Sequence, residues 1–288
     1  MKFDAIIGNP PFQAPEKNGA PLWKKFINLS LPLLKPGGYL CFISPDTWLT
    51  DKTIGPVMKT YDIQYVNLKL RSYFTTKIQS TFSFFLINNS PYSGNTEMEA
   101  VTETFNTDFN TVLDFPSRNI SSITIKIFNK FYSIKKKFEP VSVRDNFSKE
   151  KTTIYKYPAY HTRAQPLVYV KTDEYINQKK VIFPTASKFE VFYDNGNLAI
   201  ATLARASIVK DEEEGNNLLS YMQSKLFTFV QKSSKQGGWF NMKYMPKIDI
   251  SHYWTDKEIY DHFGINDEEI EYIETHITYN KDLWCIVE

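Results

Sequence analysis

The chain opens on Lys2-Phe3-Asp4-Ala5-Ile6-Ile7-Gly8, apolar and β-branched at its centre, which predicts a short buried strand over residues 2–8. Asn9-Pro10-Pro11-Phe12 ends that strand, because proline has no N–H to give to a ladder. After a loop to Ala20, Leu22, Phe26, Leu29 and Leu33 recur at helical spacing, which predicts a helix with those residues on its buried face, and Pro21 suits its start. Lys35-Pro36-Gly37-Gly38 stops that helix, and Tyr39–Ser44 reads as a second buried strand. A helix over 51–61 and strands over 63–70 and 81–87 follow. Strand–helix–strand–helix–strand order predicts an α/β fold with a parallel sheet.

Around 88–104 the texture changes to Asn, Ser, Pro, Gly and Thr, which reads as a linker or long connection. Between 105 and 250 the βα rhythm is lost. Short aromatic strands, Pro-containing turns and lysine clusters alternate there with helices near 121–137 and 214–231, the pattern of an α+β module. In the tail, Thr255-Asp256-Lys257-Glu258 is a capping-box pattern ahead of a helix that Gly264 terminates. Asn266 and Glu269 repeat it ahead of a last helix over about 267–277, so the acidic residues there read as structural. The chain therefore divides into 1–104, 105–250 and a helical tail, 251–288.

Composition changes this picture in three ways. Of 288 residues, 42% are hydrophobic and 23% charged, the profile of a soluble globular protein. Eighteen Tyr and twenty-two Phe exceed what a core of this size needs, so some are expected to stack on something else. No apolar run reaches the roughly 18 residues of a membrane span, the N-terminus shows no signal-peptide pattern, and Cys41 and Cys285 are too few for a disulfide framework or a cysteine zinc site. A reducing cytoplasm fits all three. The net charge of +2 is uneven: residues 105–250 hold 22 Lys/Arg against 14 Asp/Glu, whereas 251–288 hold 2 against 10. A basic middle suits a polyanion-binding module as well as a solvated surface. His161 and His252 lack metal-ligand spacing and read as structural, so no metal site is expected.

The candidate chemistry lies in Asn9-Pro10-Pro11-Phe12, delivered by a strand at its C-terminal end, where open α/β sheets place their sites. An aromatic exocyclic amine is a poor nucleophile because its lone pair is delocalised into the ring. Two acceptors on its two N–H bonds draw it toward tetrahedral geometry and aim the lone pair outward. The Asn9 side-chain oxygen and the Pro10 carbonyl suit that task, and consecutive prolines hold the carbonyl rigid. Phe12 offers a flat face to an extruded base, returning roughly 1–3 kcal/mol of an extrusion cost of a few kcal/mol. No nearby His is required as a base, because a sulfonium methyl donor is already activated.

Asp4-Ala5-Ile6-Ile7-Gly8-Asn9-Pro10-Pro11-Phe12 resembles motif IV of amino-methyltransferases. Lys35–Leu40 and Ile43-Ser44-Pro45-Asp46-Thr47-Trp48-Leu49 are similar to the helix, strand and loop that follow in γ-class adenine-N6 DNA methyltransferases of type II restriction–modification systems. Trp254–Tyr260 with Phe263-Gly264 resembles C-terminal segments of the same group. The resemblance implies a partial Rossmann-like methyltransferase sheet in 1–104, a DNA target-recognition domain in 105–250, and S-adenosylmethionine (SAM) as cofactor, with Asn9 also a cofactor contact. Motif IV also occurs in methyltransferases acting on RNA bases and on protein glutamine, and a non-catalytic DNA-binding specificity subunit is the further alternative.

One expected feature is missing. Such enzymes bind SAM through a Gly-rich loop after their first strand, yet no two of the eleven glycines here are separated by a single residue. The strand at 2–8 would then lack a neighbour and expose an apolar edge. The expectation is that the SAM-binding half comes from a separate polypeptide, or that the chain is a truncated product, with strand addition completing both sheet and pocket. In the middle module, Lys151, Lys156, Arg163 and Lys171 interleave with Tyr155, Tyr157, Tyr160 and Tyr169, and Lys235 precedes Gly237-Gly238-Trp239-Phe240. Lys156, Arg163, Lys235, Gly237, Gly238, Trp239 and Phe240 are the candidate contacts to double-stranded DNA. Lys135-Lys136-Lys137 reads as an exposed helix end, and Asp46 as a helix cap.

Overall fold

The computed structural model describes residues 1–14, 20–51, 53–70, 82–110, 120–143, 146–186, 189–234 and 245–279. The chain forms two units, the first built on Met1–Lys126 and the second on the residues from Ile127 onward.

In the first unit β1 (Phe3–Gly8) leads through the proline loop to α1 (Leu22–Ser30), a 3-10 turn, and β2 (Leu34–Pro45). A second 3-10 turn over Asp46–Thr50 precedes α2 (Ile54–Met58), β3 (Asp62–Asn67) and β4 (Phe82–Asn88). The sheet closes with β5 (Thr96–Glu99) and β6 (Thr104–Thr107) in the order β1-β2-β4-β3-β5-β6. The elements fall close to their expected places, but the sheet is not parallel. β4 lies antiparallel between β2 and β3, and β6 is antiparallel to β5. Antiparallel neighbours need no crossover helix, so β3 and β4 sit side by side without the βαβ geometry that the element order suggested. The stretch read as a linker over 88–104 is also different. Gly94 takes φ +84° and turns the chain back, so that β5 and β6 extend the sheet.

The buried face of α1 is not the expected one: Phe26, Leu29 and Leu33 are exposed, and Trp23, Ile27 and Leu31 join Leu40, Phe42, Trp48, Phe85, Ile87 and Phe109 in the core of this unit. Trp48 is fully buried, donates from Nε1 to Ser83 Oγ at 2.7 Å, and meets the rings of Phe85 and Phe109. Its indole N–H thus keeps a partner while the ring fills the core beneath the β2 end.

The second unit begins in α3 (Ser122–Tyr132), whose Phe131 contacts Phe227 and Phe263. A four-stranded sheet has the order β12 (Ala199–Ile200), β8 (Tyr157–Tyr160), β9 (Val168–Val170), β7 (Phe147–Ser148). A three-stranded antiparallel sheet joins β11 (Phe192–Asn195), β10 (Lys179–Pro184) and β13 (Ala204–Ile208). The helices α4 (Glu212–Met222), α5 (Lys225–Ser234), α6 (Asp256–Phe263) and α7 (Asp267–Tyr279) follow. The single helix expected near 214–231 is therefore two.

The caps behave as the tail sequence predicts. Thr255 and Glu258 form a reciprocal capping box, Gly264 takes φ +64° at the helix end, and Asn266 and Glu269 exchange hydrogen bonds of 3.0 and 2.9 Å. α6 and α7 are tied to α5: Asp256 accepts from the Lys225 N–H at 2.8 Å, and Glu274 pairs with the Lys225 ammonium at 2.7 Å. Among the described residues, no helix is long and apolar enough to cross a membrane.

Candidate active site

The proline loop is built at the free edge of the first sheet. Among the described residues β1 pairs only with β2, in parallel, and Gly8 lies opposite Phe42. A Cβ on Gly8 would come within 3.2 Å of the Phe42 ring, so glycine lets the strand end lie down on the core before the chain turns. Asn9 follows with an exposed side chain, then Pro10 buried, Pro11 exposed and Phe12 half-buried. β1, β2, β3 and β5 all point the same way, so Asn9 stands on the sheet edge where those strands end.

Two contacts hold the loop. The Phe12 carbonyl accepts from the Leu22 N–H at 3.1 Å, and Ala14 N donates to Ala20 O at 3.1 Å. α1 has no side-chain cap, with Pro21 at its N-cap, so Phe12 supplies the acceptor that one of its unpaired first-turn N–H groups needs. The Phe12 ring meets Phe82 at 5.9 Å and 45°, at the start of β4, and the Trp48–Ser83 bond lies next to it in sequence. Phe82, Ser83 and Trp48 are thus support residues for the loop that no local sequence signal revealed. Phe82 and Ser83 come near only because β4 inserts between β2 and β3.

Asp46 stands half-buried in the first turn of the 3-10 helix over Asp46–Thr50, where a carboxylate favours the helix N-terminus. The side chain that caps α2 is Asp51, which accepts from the N–H groups of Thr53 and Ile54 at 2.9 and 3.0 Å and pairs with Lys24 of α1. Burial alone would raise its pKa. The Lys24 ammonium, the Thr53 hydroxyl and the two backbone N–H groups outweigh that and hold it at about 2. Further along the same sheet edge, Glu99 accepts from Tyr65 at 2.5 Å and Asn67 at 2.7 Å, with Lys69 at 3.6 Å. Burial and the neighbouring Glu99 carboxylate push the Tyr65 hydroxyl up, which keeps it a donor in this satisfied cluster.

The described residues do not fit a whole SAM site. Phe3 and Ile7, on one face of a strand expected to be buried, are 39% and 78% exposed. No strand lies beyond them among the described residues, and the sequence lacks a Gly-x-Gly spacing. Asn9 is exposed at the strand end, and the walls that would enclose a methyl donor are not among the described groups.

Of the candidate DNA contacts, Lys156 is exposed with its ammonium 5.8 Å from the Tyr157 ring centroid. Arg163 is exposed with its Nε 3.9 Å from Glu190. Tyr160 belongs instead to a core cluster with Ile182 and Ile200, where burial pushes its hydroxyl up to about 12. Lys235, Gly237, Gly238, Trp239 and Phe240 lie outside the described residues. Lys137, expected on an exposed helix end, is half-buried and turns back to the Tyr132 carbonyl at 2.7 Å, while Lys135 and Lys136 are exposed.

The first unit thus presents an Asn-Pro-Pro-aromatic loop at the end of a strand of a mixed sheet. The family model described as Eco57I restriction-modification methylase matches residues 1–82, which include that loop, β1, β2 and β3. No curated protein matches the sequence. Among solved structures, the chain is similar to the type IIL restriction-modification enzyme MmeI in complex with DNA, at 9% identity and TM-score 0.48, over 84% of this chain and 45% of that one. It is similar to the ATP-dependent type ISP restriction-modification enzyme LlaBIII bound to DNA at 7% identity and TM-score 0.48, over 94% of this chain and 30% of that one. A putative class I SAM-dependent methyltransferase from Listeria monocytogenes matches at 17% identity and TM-score 0.28, over 35% of this chain and 38% of that one. The chain spans less than half the length of each.

Proposed function

We propose that this chain carries the acceptor-base part of a DNA adenine-N6 methyltransferase that uses SAM. The observation that carries the reading is the placement of Asn9-Pro10-Pro11-Phe12, with Asn9 exposed at the strand end and the loop pinned through the Phe12 carbonyl to α1. The Eco57I match over residues 1–82 supports it. In this reading the Asn9 side-chain oxygen and the Pro10 carbonyl accept the two N6 protons of an extruded adenine. Pro11 keeps that carbonyl from reorienting, which is preorganisation in place before the base arrives. Phe12, backed by Phe82, stacks on the base. Asn9 is also the residue placed to meet the donor.

The rest of the donor pocket is supplied by a further polypeptide segment, in this chain's longer form or in a companion, adding a strand to the free edge of β1. The unpaired edge of β1 among the described residues supports this, since a free strand edge invites strand addition. The γ-class subtype belongs to the same proposal. DNA is held by the second unit, with phosphate contacts from Lys156 and Arg163 and base contacts from Lys235, Gly237, Gly238, Trp239 and Phe240. The incomplete donor pocket favours one alternative, a specificity subunit that binds DNA and transfers nothing.

Substitution of Asn9 separates the two. In labelled-methyl transfer to adenine-containing duplex DNA, measured on the native assembly, Asn9→Ala is expected to lower the rate by about 100-fold or more with DNA affinity unchanged. Equal rates for the two proteins would sink the acceptor role. Calorimetry of the chain alone is expected to show no SAM binding, and clear one-to-one binding would refute the shared pocket.

A further inference from the structure

The second unit contains a cleft of about 570 Å³ lined by Asn146, Phe147, Tyr155, His161, Thr202 and Leu203. It joins β7, the turn before β8, the end of β8 and the turn after β12. His161 is only 6% exposed, its ring lies 4.3 Å from that of Phe147, and its Nδ1 is enclosed without a hydrogen-bond partner. Leaving a buried polar atom unpaired costs about 1–3 kcal/mol, so a fold that does so often holds the group for something else. Burial lowers the His161 pKa, so near neutral pH the ring offers one donor and one acceptor nitrogen.

The segment that carries β8 and β9 is rich in cations, of which Arg163 faces Glu190 at 3.9 Å. Residues 147–171 contain Lys149, Lys151, Lys156, Arg163 and Lys171 against the single acid Glu150. Lys171 lies 5.2 Å from the Tyr155 ring centroid. Between the lysines at 151 and 156 the turn is tied by Thr152, which receives the N–H of Tyr155 at 2.9 Å, and it carries Ile154 at its tip, 61% exposed. Aromatic rings at Phe147 and Tyr155, hydrogen-bonding groups at Asn146, His161 and Thr202, and the Lys171 ammonium beside Tyr155 together match a planar heterocycle attached to a phosphodiester.

We infer that this cleft takes a single nucleobase of duplex DNA, and that His161 is a specificity-determining residue that reads its edge, with a phosphate held by the lysines of the 149–156 turn. This rests on the DNA reading above. It adds to that reading the place where one base is distinguished and the residue that distinguishes it.

The test is selection from a pool of random-sequence duplexes with the full chain, followed by sequencing and by binding titrations at several salt concentrations. His161→Phe keeps the ring and removes its hydrogen bonds, and Asn146→Ala alters the exposed rim, where folding is not at stake. Both are expected to flatten the preference at one and the same position by about fivefold or more, with total affinity changed by less than about twofold. Lys156→Gln is expected to weaken all sequences alike and to reduce the salt slope by about one. If His161→Phe does not fold, Asn146→Ala alone decides. Unchanged selectivity in both variants, or a wild-type chain that binds duplexes without any preference, overturns the cleft assignment and leaves the methyltransferase reading standing. Preference for single-stranded RNA over duplex DNA overturns the assignment as well. A wild-type chain that binds no DNA even at low salt overturns both.

Discussion

Lys180 offers the sharpest test of how the second unit is held together. Its side chain, on β10, is fully buried, and its ammonium donates to the Tyr175 carbonyl at 2.9 Å, the Gln178 carbonyl at 3.0 Å and Asp194 at 2.5 Å. Asp194 in turn accepts the N–H groups of Gly196, Asn197 and Leu198 at 3.2, 3.1 and 3.3 Å. The pair ties two turns together. One of them holds Tyr175 and Asn177 at φ 64°, a conformation that non-glycine side chains resist. Lys180→Met keeps the length and removes the charge, so the Asp194 carboxylate stays buried without its counter-ion and two carbonyls lose their donor. Breaking a buried pair from one side costs about 3–5 kcal/mol. For a unit of this size that corresponds to a fall in Tm of about 6–20 °C. Urea unfolding followed by circular dichroism, resolved into the transitions of the two units, measures it. Adding Asp194→Asn removes the stranded charge and is expected to restore part of the loss. A single-variant cost below about 1 kcal/mol, or a double variant as unstable as Lys180→Met, would refute the reasoning.

Two further outcomes are expected in the first unit. Asp51 has a folded pKa of about 2 against an ordinary 3.8. Its contribution is therefore complete above about pH 4 and is lost as pH falls toward 2. With water access discounted this amounts to about 1–2 kcal/mol, so the acid limb of the stability curve flattens in Asp51→Asn, and an unchanged limb would refute the role. Gly8→Val should cost about 1–3 kcal/mol through its clash with Phe42, and Phe42→Leu in the same chain should recover part of it; strictly additive losses in chemical denaturation would show that the two sites are not coupled.

Much of the scaffold was legible because it is local. The Ile6-Ile7-Gly8 strand ending, the two prolines, the Thr255–Glu258 capping box and Gly264 each act within a few residues, where φ restriction, missing donors and cap hydrogen bonds dominate. The Asn9–Phe12 loop was legible for the same reason: its strand and the loop adjoin in sequence. Elements decided by distant neighbours were not legible. The nearly continuous apolar run in Phe82–Asn88 announces a strand and does not say which strands flank it or in which direction it runs. The Gly94 turn makes strands of a stretch whose composition matches a linker equally well.

The sequence by itself therefore determined the first strands, the caps of the last two helices and the position of the Asn9–Phe12 loop, because those follow from backbone conformation over short windows. Only the tertiary structure decided that β4 lies antiparallel against β2 and brings Phe82 beneath Phe12, that Asp51 and Lys24 join α1 to α2, and that His161 sits unpaired in a cleft beneath a basic turn. Those juxtapositions depend on which surfaces bury one another across tens of residues. A one-dimensional pattern records that a residue is apolar or charged, and packing alone chooses what it meets.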